Sequence, residues 1–181
     1  GLTPGDDLIS YLVTAKYPDG LTPLIDNVRG LGMEFGLWVE PEMANADSDL
    51  LRAHPDWIIG DPGRDQPLGR GQYVLDLTRP EVADNIYRQL DALLSRNAIG
   101  YLKWDMNRDL THALSGGRAA VHNQTLAVYA LMDRLRAAHP AGFAAGGRDG
   151  RLGLWSPAGG AGRSLGGHSG ETAIPSASAN A

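Results

Sequence analysis

Tyr73-Val74-Leu75-Asp76-Leu77-Thr78-Arg79-Pro80-Glu81, and one helix length later Ile99-Gly100-Tyr101-Leu102-Lys103-Trp104, form the stretch on which the fold turns. Residues 73–77 read as a strand. Thr78 and Glu81 have capping-box spacing, and Pro80 suits a first helical turn, where its missing N–H is no loss. Val82, Ile86, Leu90, Leu93 and Leu94 then recur at helical spacing through Ser95. Ile99 to Trp104 reads as the next strand. Strands separated by an amphipathic helix argue for parallel βαβ units.

The same alternation extends in both directions. Upstream, Thr22-Pro23 opens a helix whose stripe is Leu24, Ile25, Val28 and Leu31, with Gly32 to end it. Phe35-Gly36-Leu37-Trp38-Val39 is a compact apolar strand, followed by Pro41, which a central strand would not tolerate. Asp47 to Ala53 reads as a short helix stopped before Pro55. Downstream, Val121 to Ala138 is a helix with Val121, Val128, Leu131 and Leu135 on one side, ended before Pro140. The expected class is α/β. Three or four such units over residues 20–139 match about the first half of a (β/α)8 TIM barrel, which typically takes ~250 residues. Residues 1–140 are therefore expected to be a partial barrel.

After Pro140 the composition changes. Residues 141–181 carry 11 Gly, 9 Ala and 5 Ser, too few large apolar side chains to offset the entropy of ordering the segment. A flexible, low-complexity tail is expected there, or a stretch where the reading frame or the genomic assembly is damaged.

The whole chain has 181 residues, 43% hydrophobic and 20% charged, with a net charge of −5. That is soluble globular composition. No Lys/Arg stripe offers a phosphate track, so nucleic acid is not expected as a partner. No apolar run approaches the ~20 residues of a membrane span, so no membrane partner is expected either. There is no cysteine, which fits a reducing compartment, and a cytoplasmic location is expected. Gly1-Leu2-Thr3-Pro4-Gly5 is neither a signal peptide nor preceded by an initiator Met, so an internal fragment is expected. The five histidines are scattered without ligand spacing, Gly166-Gly167 opens no helix after a strand, and Ser115 sits in no G-x-S-x-G elbow. No metal and no cofactor are expected.

Chemistry concentrates in Lys103-Trp104-Asp105-Met106-Asn107-Arg108, where a strand should give way to a loop. A buried strand has no use for so many polar groups. At the carboxyl end of a barrel strand, Asp105 has the setting of a glycosidase nucleophile, which attacks the anomeric carbon as an ionised carboxylate. Lys103, two residues before it, can share its face and favour the charge. An internal salt bridge is the plainer alternative. The preceding strand ends Trp38-Val39-Glu40-Pro41-Glu42, an indole for stacking on a sugar ring beside carboxylates for its hydroxyls, or else a core tryptophan before a solvated loop. Arg70, in Gly69-Arg70-Gly71-Gln72, could reach a hydroxyl or lie exposed, and Asp76 is expected to tie down its own loop.

Several segments, in order, carry a resemblance. They are Lys16-Tyr17-Pro18-Asp19-Gly20-Leu21, Gly32 through Met43, His54-Pro55-Asp56-Trp57, Gly69-Arg70-Gly71-Gln72 and Lys103 through Arg108. Together they resemble the α-galactosidases of glycoside hydrolase family 36, the melibiase type, over residues 16–139. The resemblance implies a (β/α)8 catalytic barrel and retaining hydrolysis of terminal α-D-galactosides such as melibiose and raffinose. It implies Asp105 as the nucleophile at the fourth strand, Lys103 and Asn107 on galactose hydroxyls, Trp38 as a pocket wall and Arg70 on the sugar. Asp6-Asp7 stands for the family's galactose-binding aspartate pair, closer to Lys16 than the pattern and without the intervening Gly-Asp-Trp.

The family takes its acid/base from a later Cys-x-Ser-Gly-Gly-Gly-Arg-x-Asp motif. Gly146-Gly147-Arg148-Asp149 echoes that motif without the spacer residue and makes Asp149 the candidate. Ser156 through Leu165 echoes it without the Asp. An α-galactoside oligosaccharide is the implied partner, and a homo-oligomeric parent is left open. Half a barrel exposes strand edges and an unfilled core, so the isolated chain is expected to be poorly soluble and inactive. The alternatives are a non-catalytic galactoside-binding remnant and α-galactosyl transfer to another sugar.

Overall fold

The computed structural model describes residues 17–107 and 109–140, and 145–146 as backbone. Helix α1 (Thr22–Gly30) leads into strand β1 (Gly36–Val39), β2 (Met43–Asn45), α2 (Asp49–Ala53), a 3-10 turn (Pro55–Trp57) and β3 (Gln72–Val74). Helix α3 (Pro80–Arg96), β4 (Tyr101–Trp104), the small pair β5 (Leu114–Ser115) and β6 (Arg118–Ala119), helix α4 (Val121–Ala138) and β7 (Ala145–Gly146) complete the order.

Three strands form a parallel sheet in the order β1-β4-β7. β1 and β4 pair from Gly36↔Tyr101 to Val39↔Trp104, and β4 pairs onward with β7 through Lys103↔Gly146. The fold is α/β, with α3 returning the chain into β4. β7 lies past the boundary that composition suggests after residue 140.

Residues 73–77 are not a strand of that sheet. β3 stops at Val74 and runs antiparallel to β2, with Met43↔Val74 and Asn45↔Gln72 in register. From Leu75 on, the backbone finds other partners. The Leu75 N–H donates to Glu42 O (2.9 Å) and the Asp76 N–H to Trp57 O (2.8 Å). The Leu77 N–H donates to the buried Gln124 Oε1 (2.9 Å), and Gln124 Nε2 donates back to Leu75 O (3.0 Å). With these groups satisfied by loop carbonyls and one helix amide, no further strand is needed there. A short apolar run has the same pattern in either kind of pairing, so this could not be read from its periodicity.

The core follows the helix stripes. Val82, Ile86, Leu90, Leu93 and Leu94 of α3 are all buried, as expected, against Val128, Leu131, Met132 and Leu135 of α4 and against Val39, Leu102 and Trp104 of the sheet. Two stripe members are corrected: Leu31 falls just after α1, and Val121 opens α4 on its outer side, so both are more than half exposed. Thr78 is not the cap of α3 either. Arg79 takes that position, and the Thr78 hydroxyl turns to Asp76 Oδ1 (2.5 Å). Helix α2 starts at Asp49, two residues later than expected, because the Ser48 hydroxyl accepts the Leu51 N–H.

Candidate active site

Strand alternation sorts the side chains of β1 and β4 onto two faces. Val39, Leu102 and Trp104 are buried beneath the helices, while Trp38, Tyr101 and Lys103 are exposed on the opposite face. The Asp105 N–H donates to Val39 O (2.9 Å), extending the β1–β4 ladder by one rung. Asp105 and Glu40 therefore leave the carboxyl edge of neighbouring strands together.

The Asp105 carboxylate is well supplied with donors. Oδ2 accepts from Trp38 Nε1 and from Asn107 Nδ2, both at 2.9 Å, and Oδ1 accepts from the Met106 N–H (2.9 Å). Partial burial pushes the Asp105 carboxyl up. The Trp38 indole, the Asn107 amide, the Met106 N–H and the Lys103 ammonium outweigh that and hold it below the usual carboxylate range.

Arg70 arrives from a different element. Gly69 and Gln72 exchange both backbone hydrogen bonds, and Arg70 (φ 55°) and Gly71 (φ 78°) between them both have positive φ. This is a two-residue hairpin turn of the primed type, which needs left-handed backbone at both central positions. Its tip sets Arg70 Nη1 3.8 Å from Glu40 Oε1, the same oxygen that accepts Asn107 Nδ2 at 2.5 Å.

Five candidates from the sequence thus gather at one edge. Trp38 and Asn107 touch Asp105, Lys103 lies on the Trp38 face as its cross-strand neighbour, and Arg70 joins through Glu40. Asp6, Asp7 and Asp149 lie outside the described residues. Asp76 is buried and accepts the Thr78 N–H (3.1 Å), the loop-tying role expected of it. The two glutamates after β1 separate. Glu42 turns into the core, where its Oε1 accepts the Trp104 Nε1–H at 3.0 Å, while Glu40 faces the site. The sequence offers Glu40 only as one of two strand-end carboxylates for a sugar's hydroxyls, without its contact to Asn107. Its signal is position, since residues one past the ends of paired parallel strands leave the same edge of the sheet.

A family model described as Melibiase matches residues 5–155. The chain belongs to the melibiase family. The α-galactosidase of Escherichia coli is 55% identical over 130 residues, covering 72% of this chain and 18% of that protein. The chain therefore spans less than a fifth of the length of this curated relative. Among solved structures, a variant of the α-galactosidase AgaA of Geobacillus stearothermophilus in complex with raffinose superposes with a TM-score of 0.64 at 39% identity. That match covers 72% of the melibiase chain described here and 19% of AgaA. A second AgaA variant, in complex with stachyose, gives 0.66 at 39% identity over 75% of this chain and 20% of its own.

Proposed function

We propose that the protein carrying this chain is a retaining α-galactosidase that hydrolyses terminal non-reducing α-D-galactosyl residues of galactosides such as melibiose and raffinose. In this reading the parallel strands β1, β4 and β7 belong to a (β/α)8 catalytic barrel, whose active face collects strand carboxyl ends. The observation that carries it is Asp105: a carboxylate held ionised by three hydrogen bonds at such an end.

Lone-pair counting supports Oδ1 as the attacking atom. A carboxylate has about four acceptor sites, two on each oxygen. Among the described residues Oδ2 takes two donors and Oδ1 takes one. Oδ1 keeps a lone pair for the anomeric carbon. Attack forms an Oδ1–C1 ester as the bond from C1 to the leaving oxygen breaks. A second carboxyl about 5–5.5 Å away protonates that oxygen, then deprotonates the water that releases galactose. Asp149 is the residue that the family resemblance offers for this role. Trp38, with its indole N–H on the nucleophile and its ring exposed, walls the sugar site. Lys103, Arg70 and Asn107 present polar groups to hydroxyls, and Asp6 and Asp7 are the proposed carboxylate contacts upstream. The binding reading of AgaA, whose solved complexes hold raffinose and stachyose, supports an oligosaccharide substrate here.

The test is an aryl α-galactoside assayed with the full-length protein. Asp105→Asn, nearly isosteric but unable to form the ester, should lose several powers of ten in kcat. Undiminished turnover in that variant would sink the assignment.

A further inference from the structure

Glu40 has no task in the chemistry above, yet its side chain is 11% exposed, against 65% for the Arg70 beside it. A carboxylate withdrawn from water that far needs partners. Its Oε1 accepts Asn107 Nδ2 at 2.5 Å and faces Arg70 Nη1 at 3.8 Å. Asn107 Nδ2 also donates to Asp105 Oδ2. An amide nitrogen carries two N–H groups, so both are committed, one to each carboxylate. Were the amide turned over, its oxygen would face two acceptors. The arrangement therefore fixes which way Asn107 points. What Asn107 has left for a sugar is Oδ1, an acceptor. Arg70 adds a second sign of design, because left-handed backbone is uncommon at a residue other than glycine, and the turn adopts it while placing the guanidinium at Glu40.

We propose that Glu40 is a positioning residue: it clamps the Asn107 amide so that one N–H stays on Asp105 while Oδ1 faces the ligand as an acceptor for a galactosyl hydroxyl. The proposal rests on the reading of Asp105 as nucleophile. Glu40 does not react. It acts through Asn107, and it steadies Arg70 at the rim of the same site.

The discriminating pair is Glu40→Gln and Glu40→Asp, assayed in the full-length protein as pH profiles of kcat/KM for an aryl α-galactoside. Glutamine keeps an acceptor oxygen at the same reach and gives up the charge. Aspartate keeps the charge and withdraws the oxygen by one methylene. A positioning role demands that Glu40→Asp be the worse of the two. Its kcat/KM in the acid range should fall roughly tenfold or more, as for losing one charge-assisted hydrogen bond. Its acid limb should also move to higher pH, because Asp105 loses the steadied Asn107 donor. Glu40→Gln should lose less, with its acid limb in place. The proposal is overturned if the aspartate variant keeps the wild-type acid limb. It is equally overturned if the glutamine variant is the worse one, loses its alkaline limb and is rescued by azide, since that pattern marks an acid/base. Retained turnover in Asp105→Asn would instead remove the nucleophile reading, whatever the Glu40 pair does, so the two failures are told apart.

Discussion

The two faces of the β1–β4 pair are built from alternate residues of the same eight-residue register, yet they do opposite work. On one face Val39, Leu102 and Trp104 vanish into the core, Leu102 and Trp104 completely. On the other, Trp38 stays 47% exposed and Tyr101 39%, with Lys103 between the strands' ends. Both faces contain a tryptophan, and the two indoles show the contrast best. The Trp104 N–H donates to the buried Glu42, so its ring and its polar tip are both structural. The Trp38 N–H donates to Asp105, so the same group there supports the proposed nucleophile. A residue type says little until the strand period assigns it a face.

That contrast is sharpest where it predicts opposite failures. Truncating the buried face should cost stability and spare the site's chemistry. Trp104→Ala removes a fully buried ring and leaves Glu42 without its indole donor, so a loss of about 3–5 kcal/mol is expected, read by chemical denaturation of the full-length protein. A loss under about 1 kcal/mol would mean that the two faces are not distinct in energy.

Gln124 probes the same buried side where it meets the irregular segment. Its amide satisfies both the Leu77 N–H and the Leu75 carbonyl from helix α4. Gln124→Leu keeps the volume and leaves those two groups only their bond to each other (Leu77 N–H to Leu75 O, 3.1 Å), so losing both amide hydrogen bonds should cost about 1–3 kcal/mol by the same measurement. A neutral result would show that water or a shifted backbone replaces the amide.

Gln124 also marks what the sequence could and could not disclose. The stripe of α3 was legible because apolar residues at helical spacing have one economical arrangement, with that face inward. The loop after β4 was legible because polar groups crowd where a strand should end. Gln124 was not, since a glutamine in a helix reads as surface until a long-range partner appears 47 positions away. The antiparallel turn of Tyr73–Val74 was hidden for a related reason: pairing direction lives in the connection between strands, here the whole stretch from Ala46 to Gly71. Arg70 was placed correctly in a loop, but its approach to Glu40 depends on two left-handed residues at a hairpin tip, and an arginine there gives no such signal by itself. Asn107 was assigned to sugar hydroxyls by resemblance. What its geometry adds is that both N–H groups already hold carboxylates.

The open face calls for the gentlest test, since a large change would blur chemistry with packing. Trp38→Phe keeps an aromatic wall and removes one N–H. Asp105 sits below the ordinary carboxyl value of about 3.9, so its ionised form persists into acid solution and is lost as pH falls through the lowered value. Without the indole donor that value moves back up toward the ordinary one. The acid limb of kcat/KM should therefore shift to higher pH, and the variant should lose activity sooner on acidification. At neutral pH, where the carboxylate is ionised in both proteins, the deficit should stay under about tenfold, the scale of one modest hydrogen bond at a half-exposed site. Stability should barely change, because that ring is not part of the core. An unmoved acid limb, or a stability loss comparable to that of Trp104→Ala, would make Trp38 a packing residue like its counterpart and erase the difference between the faces.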